Sequence, residues 1–161
     1  MNISLRPFTQ ADIETCNQWA IDIDAEQYQS RIFPRAFNGR DLSGGDSLWS
    51  WYVILVDGGD AGTVWLEKET PAADKAILGI LLGKKELFGK GIGREAIRLA
   101  IQHARDSLGF HSVVLTVRQD NDRAIASYRH VGFIITGDGI KTREDGSQVP
   151  FYAMTLDLPE K

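Results

Sequence analysis

Gly89, Gly91 and Gly93 stand at alternate positions between a nearly unbroken apolar run, Ala76 to Leu82, and an amphipathic stretch. Glycine permits positive φ angles and lets a ligand approach the bare backbone. Placed where a helix begins, such a loop offers several unpaired N–H donors and about half a positive charge from the helix macrodipole. The chemistry it can do is anion binding, with a phosphate or pyrophosphate as the expected ligand. Lys90 and Arg94 flank the loop, where positive charge has a use. The bland alternative is a tight strand-to-helix turn that binds nothing.

Spacing separates the known glycine loops. A P-loop needs a glycine at position 84 and Ser or Thr after Gly89-Lys90, but Lys84 and Gly91 stand there, which speaks against an ATPase. The dinucleotide fingerprint G-x-G-x-x-G finds its first two glycines, and Arg94 occupies the third position. An oxidoreductase is therefore a weak alternative.

A second constellation follows about thirty residues on: Asn121, Ala124, Tyr128, Gly132 and Phe133. Asn121 is a good helix N-cap and Gly132 a good stop. Tyr128 falls on the apolar face of that short helix with Ala124, Ile125 and Val131. It reads either as a core tyrosine or as a phenol that keeps its proton at neutral pH and can donate it.

The elements that must position these residues are legible from periodicity. Ala76 to Leu82 reads as a central strand buried on both faces. Ile97, Ala100, Ile101, Ala104 and Leu108 make the i, i+3, i+4 stripe of a helix that Gly109 stops, and His111 to Val117 is a β-branched strand. Strand, loop, helix and strand form one βαβ unit with a right-handed crossover. Upstream, Ile3 to Arg6 is a short strand. Thr9 then caps a helix of about four turns carrying Ile13, Cys16, Trp19, Ala20 and Ile23, with Asp12 completing a capping box. Residues 51 to 56 and 61 to 66 read as strands around the turn Asp57 to Asp60. The stretch from Tyr28 to Ser50 has no clear period. Downstream, Phe133 to Thr136 begins a strand, and Phe151 to Leu158 is the last one, after a turn at Asp145-Gly146. The expected fold is mixed α/β with a mixed sheet.

At 161 residues the expectation is one domain, 1–161, that buries a core without disulfides or structural metal. No apolar run is long enough for a transmembrane helix, and the N-terminus lacks a signal-peptide h-region. Cys16 is the single cysteine, so a reducing, cytoplasmic setting fits, and it reads as a small core residue. The formal charge of −4 argues against nucleic acid as a partner, and no membrane partner is expected. His103, His111 and His130 lack metal-ligand spacing.

Phe88 to Gly93 resembles the pyrophosphate loop R/Q-x-x-G-x-G/A of the GNAT superfamily of acyl-CoA-dependent N-acetyltransferases, with Phe88 in place of the usual Arg or Gln. Asn121, Ala124, Tyr128, Gly132 and Phe133 resemble that superfamily's second signature segment. The opening Leu5-Arg6-Pro7-Phe8 with Asp12 is typical of its ribosomal-protein and polyamine acetylating branches.

The resemblance implies a mostly antiparallel sheet whose middle strands splay to admit the pantetheine arm of acetyl-CoA, the cosubstrate. It implies that backbone around Leu78 to Leu82, with Leu81 and Leu82 singled out, bonds the arm, that Phe88, Gly89, Lys90, Gly91, Ile92, Gly93 and Arg94 cradle the pyrophosphate, and that Asn121 contacts the arm. Tyr128 would be the general acid for the departing thiolate after an amine attacks directly.

The general base stays open. Residues 76 to 82 contain no acid, and Thr116 stands where some relatives carry Glu; Glu67, Glu69, Asp24 and Glu26 are candidates, as is a water chain. The acceptor is open among a small cationic molecule, a protein N-terminus and a lysine, with Asp22, Asp24 and Glu26 favouring a cation. Trp19, Trp49, Trp51, Trp65 and Phe33 line an acceptor side or fill a core. A CoA-binding module with decayed catalysis is the alternative function, and a homodimer is left open.

Overall fold

The computed structural model describes residues 1–25, 31–37, 39 and 48–160. Among these, β1 (Ile3–Pro7), β2 (Trp49–Val56), β3 (Gly59–Glu67), β4 (Lys75–Leu82), β5 (Ser112–Arg118), β6 (Ile134–Thr142) and β7 (Gln148–Asp157) form one sheet in the order β1-β2-β3-β4-β5-β7-β6. Every neighbouring pair is antiparallel except β4–β5. That parallel pair needs a crossover, and α2 (Ile92–Ala104) supplies it. The expected βαβ unit and mixed sheet are both present.

Period-2 alternation sends side chains to two cores. Val64, Leu66, Ala76 and Leu78 pack under α2 and α3 (Asp122–Val131). Trp51, Val53, Trp65 and Leu81 pack on the other face with Cys16 and Trp19 of α1 (Asp12–Asp22). There Trp51 stacks on Phe8 with centroids 3.8 Å apart and meets Phe33 and Phe37 edge-on. Its indole N–H donates to Thr63 Oγ1 at 2.8 Å, which passes a 2.8 Å bond to the Tyr52 carbonyl, so this buried polar pair is satisfied. Cys16 is fully buried as expected, and burial pushes its thiol up to about 12, which makes it inert.

Several boundaries differ from the sequence reading. The first helix begins at Asp12 and runs only eleven residues, with Ala11 at its cap. Asp12 does accept from the Thr9 backbone N–H at 2.9 Å, half of a capping box, but Thr9 Oγ1 also donates to that carboxylate, and Arg6 pairs with it at 2.8 Å. A buried carboxylate with a guanidinium at hand takes the charged partner. Arg6 and Thr9 together hold Asp12 down at about 2. The β2–β3 hairpin turns on Asp57 and Gly58 alone, both at positive φ, the two-residue connection whose twist matches its strands. Past Ala104, α2 ends in a π-type turn, Arg105–Gly109, with Gly109 at φ +71. The buried Lys68 ammonium accepts no compromise there: it donates to the carbonyls of Leu108, Gly109 and Pro71 at 2.7 to 2.9 Å, fixing that helix end to the end of β3. No helix among the described residues is long and apolar enough to cross a membrane.

Candidate active site

The β4–β5 ladder is short. Lys75, Ala76 and Ile77 pair with Ser112, Val113 and Val114, and there it stops. β4 stays paired to β3 as far as Leu82, and β5 stays paired to β7 as far as Arg118. The two middle strands therefore part after Ile77 and Val114, each held by its outer neighbour. A cavity of about 1430 Å³ opens where they part, lined on one side by Ile77, Leu78, Gly79, Ile80 and Leu82 and on the other by Thr116, Val117 and Arg118. That exceeds the usual volume for a single drug-sized ligand and suits a large cosubstrate together with an acceptor.

At the far end of β4 the chain turns through Lys85–Leu87 and the glycine loop into α2. Gly89 and Gly91 sit at φ +75 and +81, a backbone region that side chains with a Cβ rarely adopt, and Gly91 is the N-cap of α2. The loop's geometry demands glycine at those two positions. Gly93 already lies inside the first helical turn, where a Cβ would come within 3.8 Å of Ile80. The Arg94 guanidinium folds back over Gly91, placing a fixed positive charge at the helix N-terminus.

Phe88 stands where a polar side chain was expected from the family pattern. Its ring carries the Arg123 guanidinium 3.8 Å above its centroid. Arg123 comes from the first turn of α3, which follows β5, so a cation–π contact joins the two sides of the opening. Such a contact is worth about 0.5–1 kcal/mol at exposed sites. Its positional effect matters more: it holds a cation of α3 beside the glycine loop at the cavity wall.

Asn121 caps α3, its Oδ1 accepting from the Ala124 N–H at 3.3 Å, and it also lines the cavity. The capping role therefore does not take Asn121 out of the cavity wall. Tyr128 lines the cavity with its ring edge-on to Phe133, 5.9 Å between centroids. Burial pushes its phenol up to about 12, against a smaller lowering by the Arg123 charge.

Of the loop and strand residues singled out by sequence, Leu82, Phe88, Gly89, Gly91, Ile92, Gly93 and Arg94 line the cavity. Leu81 is turned into the core against Trp51 and Trp65. Lys90 is exposed outside the cavity lining.

Of the acids, Asp22, Asp24 and Glu69 are exposed and absent from the lining, and Glu26 lies outside the described residues. Glu67 is 4% exposed and lines the cavity, and the Ala36 N–H donates to its Oε2 at 3.3 Å. Among the five aromatic residues considered, only Trp65 reaches the cavity, its indole filling the space that a side chain on Gly79 would need. Arg31, Arg35 and Arg123 also line it and were missed. The first two come from an aperiodic stretch, whereas Arg123 follows Asn121 by two residues and could have been found from that spacing.

A family model described as "Acetyltransferase (GNAT) domain" matches residues 2–134. Spermidine N(1)-acetyltransferase of Escherichia coli (strain K12) is 31% identical over 141 residues, spanning 85% of this chain and 75% of that protein. Mycothiol acetyltransferase of Corynebacterium efficiens is 32% identical over 85 residues, 52% of this chain and 27% of that protein. In fold, the chain resembles the crystal structure of spermidine N-acetyltransferase from Vibrio cholerae in complex with CoA and spermine, with a TM-score of 0.76 at 19% identity over 96% of this chain and 95% of that one.

If Arg123 stands in for the missing polar residue at 88, Arg123→Ala should weaken CoA binding by roughly tenfold, within the range for a hydrogen bond to a charged group. Adding Phe88→Arg to that variant should recover most of the loss. Calorimetric Kd values that do not move with Arg123→Ala would remove Arg123 from the anion site.

Proposed function

The chain belongs to the GNAT acetyltransferase family and is an acetyl-CoA-dependent N-acetyltransferase, and from that premise we propose that its acceptor is the primary amine of a small molecule, which attacks the acetyl group directly. The single observation that carries this reading is the opening between β4 and β5, which leads from an anion-binding helix N-terminus into one cavity holding both Tyr128 and Glu67. From Leu82 back to Ile77 is five residues, about 17 Å of strand at ~3.3 Å per residue, long enough to lie along an extended ligand arm.

Acetyl-CoA, when bound, supplies an activated thioester. The protein's residues do the rest. The N–H groups and macrodipole at Gly91–Gly93, with Arg94 and Arg123, hold the pyrophosphate. Asn121 spends its side-chain carbonyl on the helix cap, which leaves its NH₂ group to donate to the cosubstrate arm. Tyr128 acts where the C–S bond breaks. Burial raises the phenol to about 12, so Tyr128 is protonated and able to donate at neutral pH. Its service is a hydrogen bond held on the sulfur as negative charge builds there, with transfer following as the bond opens.

The exposed acids Asp22 and Asp24 do not support a cationic acceptor from within the cavity, because neither lines it; the acids that do, among the described residues, are Glu67, Glu144 and Asp145. A small-molecule amine is supported by the Escherichia coli relative, which is named for spermidine. The single buried cysteine supports a reducing, cytoplasmic setting. One domain over the whole chain is the reading that a single sheet from Ile3 to Asp157 supports.

The test is acetyl-CoA turnover over a panel containing a polyamine, an aminoglycoside, free amino acids and a peptide with a free N-terminus. Turnover on at least one small amine is expected; tight CoA binding with no turnover on any of them would make this a binding module, and turnover on the peptide alone would overturn the small-molecule reading. With the best acceptor, Tyr128→Phe should lower kcat by about 10²-fold with CoA Kd nearly unchanged, because it deletes only the donor. Near-normal kcat when chemistry limits the rate would return Tyr128 to the core.

A further inference from the structure

Glu67 is the last residue of β3, and its register partner on β4 is Ile77, the residue at which the β4–β5 ladder ends. Side chains directly opposite on an antiparallel pair share a face, with Cβ atoms roughly 5 Å apart. The carboxylate thus belongs to the cavity face at the vertex of the opening, the end remote from the glycine loop. Trp65, two residues earlier on the same face, and Gly79, which leaves room beside it, line the same wall. β4 has no acid of its own between Ala76 and Leu82. A buried carboxylate costs several kcal/mol in desolvation unless it is compensated, so its retention at 4% exposure in a cavity wall calls for a use.

Resting on the acetyltransferase reading above, we propose that Glu67, on β3 beside the acid-free β4, is the general base of this enzyme. Near neutral pH the acceptor arrives as an ammonium. Glu67 takes one proton from it, and the freed lone pair forms the N–C bond to the acetyl carbon. The C–S bond then breaks. The nitrogen loses a second proton as the amide forms, the sulfur gains one through Tyr128, and the products are amide, thiol and one proton released to solvent. The Ala36 N–H, donating to Oε2, fixes the carboxylate with one oxygen turned to its neighbour and the other available to the acceptor. Because Ala36 adjoins Arg35, which lines the same wall, the segment that orients the base also borders the acceptor.

Glu67→Gln is nearly isosteric, and its amide oxygen still accepts from Ala36, so packing and positioning survive while basicity is lost. With an alkylammonium acceptor, kcat/KM should fall by about 10²-fold, within the range for one general base. CoA Kd by calorimetry should stay within about twofold of wild type, since the change lies at the far end of the cavity from the glycine loop. With an acceptor whose amine is already neutral at the assay pH, the defect should shrink at least tenfold, because no proton need be removed before attack. A purely structural Glu67 would lower both acceptors equally, and that result, or an unimpaired variant, overturns the proposal. Glu67→Asp, which shortens the reach but keeps the base, should recover part of the activity on the ammonium acceptor alone. An inactive wild type would overturn the acetyltransferase reading itself, a result distinct from an active wild type with an indifferent Glu67→Gln.

Discussion

The pairing of β4 with β5 lasts for three residues and then ends, and the rest of the site depends on that stop. Backbone N–H and C=O groups inside a protein have to be matched. A sheet interior normally matches them strand to strand. Here β3 keeps hold of β4 to Leu82 and β7 keeps hold of β5 to Arg118, so the parting is built in by the outer ladders. It is not a frayed end. Two facing strand edges that no longer bond each other form a slot with the hydrogen-bonding pattern of a missing strand, and an extended ligand with its own amides fits that pattern.

The glycine loop and α3 close the wide end of this slot. Gly89 and Gly91 take left-handed conformations so that the chain can leave β4 and start α2 at the edge of the opening. Phe88 brings no polar group of its own to the loop. Arg123, stacked on that ring, brings one from the next helix, and its charge also bears on Tyr128. Loop and helix thus share one charge arrangement across the slot. At the narrow end, Glu67 occupies the place beside Ile77 that the apolar β4 leaves without an acid.

How much of this was legible follows from how local each signal is. Apolar runs and i, i+3, i+4 stripes located β4, α2 and β5, and the glycine spacing located the loop that starts α2 beside the cavity, because these depend on neighbours in sequence. Asn121 and Tyr128, a cap and a helix-face position, could be placed in the cavity wall for the same reason. Glu67 could be named only as one acid among several, since its place in the cavity wall depends on register with Ile77, a strand pairing that no local pattern encodes. Arg31 and Arg35 lie in a stretch without period, and the stacking of Arg123 on Phe88 joins segments 35 residues apart. The first helix was placed too early because Thr9 with Asp12 fits a capping box, whereas Arg6, five residues before Ala11, captures the same carboxylate. The expectation for Leu81 concerns its backbone, and alternation, which turns its side chain to the α1 face, leaves that backbone on β4 beside the opening.

The central claim is that the opening between β4 and β5 is filled by a ligand arm that pairs as an added strand. Hydrogen exchange of the backbone amides, measured with and without CoA, tests it most directly. The account predicts slower exchange at residues 78–82 and 115–117 as well as in the loop 88–94, by about tenfold or more, since roughly 1.4 kcal/mol is the scale of one net backbone hydrogen bond. Protection confined to the loop, with both strands exchanging at their ligand-free rates, would contradict it and leave only an anion site at a helix N-terminus.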